Sequence, residues 1–432
     1  MTAFADGLRD QFALRAQGPL RLLREAAFAR FAKLGLPTTQ DEDWKYTSLA
    51  PLAQMPFEPG AAAAIGAIDR WTLADSAARL VFVNGKHRPE LSSPAPRLRG
   101  AFIGSLAVAL AERPDLVERE LARHADDQRE ALTALNTAFL EDGAFIHLPA
   151  GMVLEAPIHL LYLSTAPGNP AHSHPRNLIV AGANSQATVV ETYAGVADDT
   201  YFTNAVTEVV LGENAHLHHY KLQEESARAF HVALTQVRHG RDSRFTSHSV
   251  ALGAALARND VRARFASEGS ECTLNGLYMA TGKQHLDNRT LIDHESPRCT
   301  SRELYKGVLD GQSRGVFSGR VLVRQDAQKT DASQANKNLL LSDDAIVNTK
   351  PQLEILADDV KCAHGAAVGQ LDENALFYLR SRGIGQEAAR SLLTYAFASE
   401  MVNLVPLGPL RARVRDLVTS KLPAFERLKE AA

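Results

Sequence analysis

Cysteine is scarce in this 432-residue chain: there are three, Cys272, Cys299 and Cys362, and no CxxC pair. So sparse and odd a set argues against a disulfide framework and fits a reducing compartment. It also excludes a four-thiolate zinc or iron–sulfur site supplied by this chain alone. Aromatic residues make up only 6%, thin for stacking sugars. No run of about 18 apolar residues occurs, so no helix is expected to span a membrane. The stretch from Met1 to Gly18 lacks the apolar core and small-residue cleavage site of a signal peptide, and the expected location is cytoplasmic. The formal net charge is −3 and no basic cluster is dense enough to track phosphates, so neither nucleic acid nor membrane is an expected partner.

Nucleotide and catalytic motifs are missing too. GxxxxGK[ST] does not occur: Gly282-Lys283 is followed by Gln284, and Gly85-Lys86 by His87. The chain is therefore not expected to bind or hydrolyse a nucleotide by itself. No GxGxxG follows a strand-like run, and neither GxSxG nor HExxH is found. The expectation is a protein that is not an enzyme.

What is present is a change of period. The chain is 45% hydrophobic and 22% charged, and its length suits two or three domains or one elongated repeat domain. Residues 1–140 read as mainly helical. Leu8, Phe12, Leu23, Phe28 and Phe31 fall at helical spacing up to Leu34, and Gly35 and Pro37 close the segment. A short strand from Leu80 to Val83 meets the turn pair Asn84-Gly85. Further helices are expected near residues 105–121 and 128–140. From 141 to 368 short alternating runs take over. Gly182, Gly212, Gly240 and Gly269 each open a turn followed by strand-like alternation, at steps of about 29 residues. A step of that size without intervening helices suits a parallel β-helix, with a β-sandwich as the alternative. Residues 369–432 are helical again: 372–382, 386–404, and a third helix from about 409 to 417. Open end coils expose backbone and apolar side chains, so the flanking helices are expected to cover them.

Few residues could carry chemistry. His216 and His218 share a face of a predicted strand, as a metal pair or as an ordinary ladder of histidines, and His172 and His174 lie in a loop. Cys362 and His364, two apart at the end of the β region, also share a face. A thiolate and an imidazole there make half of an iron site, although a CxH by spacing alone is weak. Cys272 and Cys299 read as buried small hydrophobes.

The stretch VKCAHGAAVGQLDENALFYLRSRGI, residues 360–384, closely resembles the C-terminal signature of the SufB/SufD family of iron–sulfur cluster assembly scaffolds. NTKPQLEILADD (348–359), KTDASQANKNLLLS (329–342) and DEDWKYTSL (41–49) resemble the same family, the last its SufD branch. The resemblance implies a mainly β protein, a right-handed parallel β-helix flanked by helical domains. It implies a heterodimer with SufB and one copy of the ABC-type ATPase SufC on the C-terminal helices; a homodimer in isolation is the alternative that the exposed edge coils of a β-helix leave open. It also implies a nascent iron–sulfur cluster shared with SufB, with His364 as a ligand and Cys362 as a second, less required one. SufB carries a cluster-related cysteine where this chain has Asn336, and a glutamate after the shared histidine where this chain has Gly365. A reading from another class is a carbohydrate-active β-helix enzyme, which would need a carboxylate cluster on consecutive coils that the sequence does not show.

Overall fold

The computed structural model describes residues 3–14, 18, 20–95, 98–422 and 424. The helical segment expected from Leu8 to Leu34 is two helices, Ala3–Ala13 and Arg21–Leu34. Residues 15–17 and 19 of that segment, and 423 and 425–432 of the C-terminal one, lie outside the described residues.

From Arg176 onward consecutive strands alternate between two sheets, so each coil contributes one strand to each. In the first sheet Phe230 pairs with Leu256, Leu256 with His285, His285 with Arg314 and Arg314 with Ile346, all parallel. In the second, Phe245 pairs with Cys272, Cys272 with Ser301, Ser301 with Ala332 and Ala332 with Cys362, again parallel. Sandwiches are built from antiparallel sheets, and the parallel ladders identify a β-helix. Period-two alternation sends every second side chain inward. There Ile179, Val209, Val237, Phe265, Leu274, Ile292, Phe317 and their neighbours form one continuous core between the sheets.

The corners explain the glycine repeat and correct one part of it. A Cβ at Gly182, Gly212 or Gly240 would come within 2.7, 2.7 and 2.6 Å of backbone atoms in the preceding coil. Gly269 does a different job. It sits two places later in the turn, at the left-handed position held elsewhere by Asn184, Asn214, Asp242, Arg298 and Lys329. The N–H at each of these positions donates to a carbonyl of the next coil: Asn184 to Glu213, Asn214 to Arg241, Asp242 to Glu268. These bonds tie the corners together along the axis.

The helices Ala3–Ala13, Arg21–Leu34, Gln386–Asn403 and Gly408–Ser420 do not cap the ends, as a sequence reading suggests; they lie on the outer faces. Phe4, Leu8, Phe12 and Phe31 pack with Phe202, Phe230, Val232 and Leu256 on the first sheet. The helices Gln386–Asn403 and Gly408–Ser420 bring Met401, Val402, Leu410, Val414 and Val418 onto Tyr220, Leu222, Val250, Leu277 and Val308 of the second. Outward apolar residues on those strands explain the choice: a flat apolar face needs more cover than a coil end. The first end is closed by the chain itself. Phe102–Ser105 pairs antiparallel with Ala144–Leu148. Ala78–Val83 adds a parallel strand beside Ile158–Ser164 and turns back through Asn84-Gly85 into an antiparallel pair with Lys86–His87. At the other end the last strands, Ile346–Ile355 and Lys361–Gly369, each have a strand on one side only. Three residues, Gln370 to Asp372, then lead into the helix Glu373–Ser381.

Candidate functional site

The strand Lys361–Gly369 pairs with Asp331–Leu340, placing Cys362 opposite Ala332 and His364 opposite Gln334. Ala332 and Gln334 are buried and point inward. Cys362 packs with Val321, Val323, Ala327, Ala332 and Ala357, which settles its direction. Thiol and imidazole thus share the inward face at the mouth of the last coil, the thiol half-buried and His364 exposed. Burial pushes the Cys362 thiol up, so a metal arriving there must displace its proton. A Cβ at Gly365 or Gly369 would meet nothing within 4 Å. Nothing among the described residues requires glycine at either position, and both leave space on the open side.

The other sequence candidates are placed elsewhere. His172 and His174 are buried beneath the N-terminal helices, 2.9 Å apart between ring nitrogens, with His172 Nε2 2.8 Å from Gln11 Oε1. His216 is half-buried and His218 exposed on the outer face of their strand. It is the adjacent His219 that turns inward, 3.2 Å from Glu191 Oε1 and 3.0 Å from Ser247 Oγ. Cys272 and Cys299 are buried, and burial raises both thiols, Cys299 to about 11. Asn336, where the resemblance implies a cysteine in the other branch, is fully buried and committed to structure: Nδ2 donates to Tyr305 O at 3.2 Å, and Oδ1 accepts from Asn338 at 2.6 Å. Among the described residues no group of three or more His, Cys, Asp or Glu could hold a metal ion. Cys362 and His364 thus bring one thiol and one imidazole to the same face, with no third such group beside them among the described residues. Thiolate and imidazole are donor types that suit iron.

One column was not found by sequence reasoning. In register beneath His364 lie Gln334, Glu303, Leu274, Ser247 and His219. Gln334 Nε2 donates to Glu303 Oε1 at 3.0 Å. Burial raises the Glu303 carboxyl to about 7, with Thr290 and Gln334 pulling the other way; of the two, only Gln334 closes a hydrogen bond of normal geometry. The signal was the coil-length spacing of 303, 334 and 364, legible only once the coil is known.

A second surface adjoins the mouth. The helix Glu373–Ser381 is capped by Asp372 Oδ1, which accepts from Asn374 N at 2.8 Å. It buries Leu376 but leaves Phe377 72% and Tyr378 58% exposed. Two adjacent large side chains open to water make this helix a candidate interaction surface.

Comparison with known proteins converges on one family. Residues 162–397 match the family model described as SUF system FeS cluster assembly, SufBD core domain, and residues 7–160 match the SufBD protein N-terminal region. An iron–sulfur cluster assembly SufBD family protein of Synechocystis is 36% identical over 92% of this chain and 90% of its own length. The iron–sulfur cluster assembly protein SufD of Escherichia coli is 34% identical over 91% of each chain. SufD of Bacillus subtilis is 27% identical over 75% of this chain and 74% of its own. The chain belongs to the SufBD family of iron–sulfur cluster assembly proteins, with SufD proteins among its relatives.

Proposed function

We propose that this chain is the SufD-type subunit of a cytoplasmic SufB–SufC–SufD complex, a non-enzymatic scaffold on which a nascent iron–sulfur cluster is built. The observation that carries the reading is the open last coil. Its edge strand presents unpaired backbone groups, two unobstructed glycines, and a thiol and imidazole on one face. An exposed edge is a template for another strand, and SufB is the partner whose coil would continue the ladder. His364 supplies one ligand to the cluster, which is cargo rather than a resident cofactor. Cys362 supplies a second after losing its proton, and SufB contributes the remaining donors. The exposed Phe377 and Tyr378 on Glu373–Ser381 suit docking of the ATPase SufC, which brings the nucleotide that this chain does not bind. On this reading residues 1–140 are the N-terminal domain, 141–368 the β-helix and 369–432 the ATPase-binding domain. Family membership sets aside the carbohydrate-active alternative.

The test is anaerobic co-purification with SufB and SufC, followed by iron and acid-labile sulfide analysis. The complex is expected to carry cluster and the isolated chain almost none. His364→Ala keeps the complex at its size-exclusion position and lowers iron and sulfide severalfold; Cys362→Ala lowers them less. A stable stoichiometric cluster on the single chain, or full loading of the His364→Ala complex, would sink the reading.

A further inference from the structure

Gln334 lies one coil beneath His364 and is only 2% exposed. One end of its amide is used: Nε2 donates to Glu303 Oε1 at 3.0 Å. The other is not, for Gln334 Oε1 is buried and accepts no hydrogen bond. An empty buried acceptor is costly, and one that persists calls for a partner.

The seat of that amide is built into the opposite sheet. Gly319 falls in the middle of the strand Arg314–Val323, where glycine weakens a strand. Its backbone is not left-handed, so no turn requires it. A Cβ there would stand 2.1 Å from Gln334 Nε2 and 2.6 Å from its Cδ. Glycine at 319 makes the room in which the amide lies. Above it, His364 is the register partner of Gln334 on the same inward face, at the strand spacing of about 4.8 Å. An imidazole that binds metal through one nitrogen commonly donates its other N–H to a carbonyl or carboxylate, which fixes tautomer and ring orientation.

We propose that Gln334 is a positioning residue for His364: its amide, seated by Gly319 and anchored by Glu303, offers the empty Oε1 to one ring N–H of His364 and leaves the other nitrogen free for iron. The proposal rests on the ligand reading of His364, and its test is independent of cluster loading.

Ring ¹⁵N shifts of a ¹⁵N-histidine-labelled chain at pH 8, with the His364 signal assigned by its loss in His364→Ala, report the tautomer directly. One tautomer is expected to dominate in the unaltered chain. Gln334→Met, of similar shape without an acceptor, returns His364 to the mixed population of an exposed imidazole. Gln334→Glu, which keeps an acceptor, retains the selection. Gly319→Ala displaces the amide without removing a polar group and matches Gln334→Met; it carries the test alone if Gln334→Met fails to fold. Wild-type tautomer populations in Gly319→Ala would overturn the proposal, whatever His364→Ala does to cluster loading. Full loading of the His364→Ala complex would instead overturn the ligand reading while leaving the tautomer result to stand.

Discussion

The two ends of the β-helix solve the same problem in opposite ways. At the first end, short antiparallel strands occupy the sheet edges, and Leu106, Ala109, Val117 and Leu121 pack over Phe145 and Leu178. At the last end the final strands of both sheets stand with one side unpaired, and Ile346, Ile355, Leu356 and Val368 are exposed. The buried charges differ in parallel. Near the first end Glu208 meets Arg176 at 2.7 Å and accepts three backbone N–H bonds, from Ala122, His124 and Ala125. Glu191 meets His219 and is held down to about 2. Below the open mouth Glu303 has no cationic partner among the described residues and is raised to about 7. The first end is finished as a stable object; the last is kept unfinished, in backbone pairing and in charge.

The comparison breaks most readily at the finished end. Arg176→Met strands Glu208 in a fully buried position, and breaking such a pair costs about 3–5 kcal/mol. The denaturant midpoint should fall accordingly, and a loss under about 1 kcal/mol would show that the end is not held by this pair.

Next in size, and opposite in sign, is Glu303→Gln. Burial raises the folded carboxyl to about 7 from its ordinary 4.5, so the folded state holds the extra proton between those values. Its stability is full below about 4.5 and falls as pH rises to about 7. Replacing the acid with a neutral amide removes that loss. Glu303→Gln should therefore be more stable than the parent at pH 8, by on the order of 2–3 kcal/mol, and nearly equal to it at pH 4.5. Paired urea melts at the two pH values check this, and an equal difference at both would show that packing rather than ionisation is responsible.

The smallest effects on stability belong to the unfinished end. Ala366→Lys places a charge on the inward face of the exposed edge strand. The isolated chain should change by less than about 0.5 kcal/mol, while strand addition by SufB is lost in a pull-down. Retained SufB binding would show that the partner docks elsewhere. On the outer face, exposed His218→Ala should change neither stability nor binding, by the same two assays.

Much of this was legible in the residues. Asn84 and Gly85 do form the tight turn, with positive φ at both, because their chemistry is local. Cys362 and His364 share a face because strand alternation is local as well. The glycine step found the coil length, yet it merged two turn positions. Coils of unequal length let Gly269 fall in phase with Gly240 while doing the work of Asp242. The placement of the flanking helices was not legible, because outward apolar residues such as Leu222 and Val250 look like core until the coil is closed. Gln334 and Glu303 were hidden for the same reason: each is an ordinary polar residue until the register stacks it under His364.

The short link after the edge strand has a mechanical consequence. Three residues, Gln370 to Asp372, join Lys361–Gly369 to the helix that exposes Phe377 and Tyr378. Fully stretched, such a leash reaches about 10 Å. If the ATPase of the proposed complex grips that helix and swings it further than this, the link has no slack to spend, and the remaining travel would be delivered as tension to the strand that bears His364. Lengthening the leash would work as a clutch, letting the motor turn without moving the histidine.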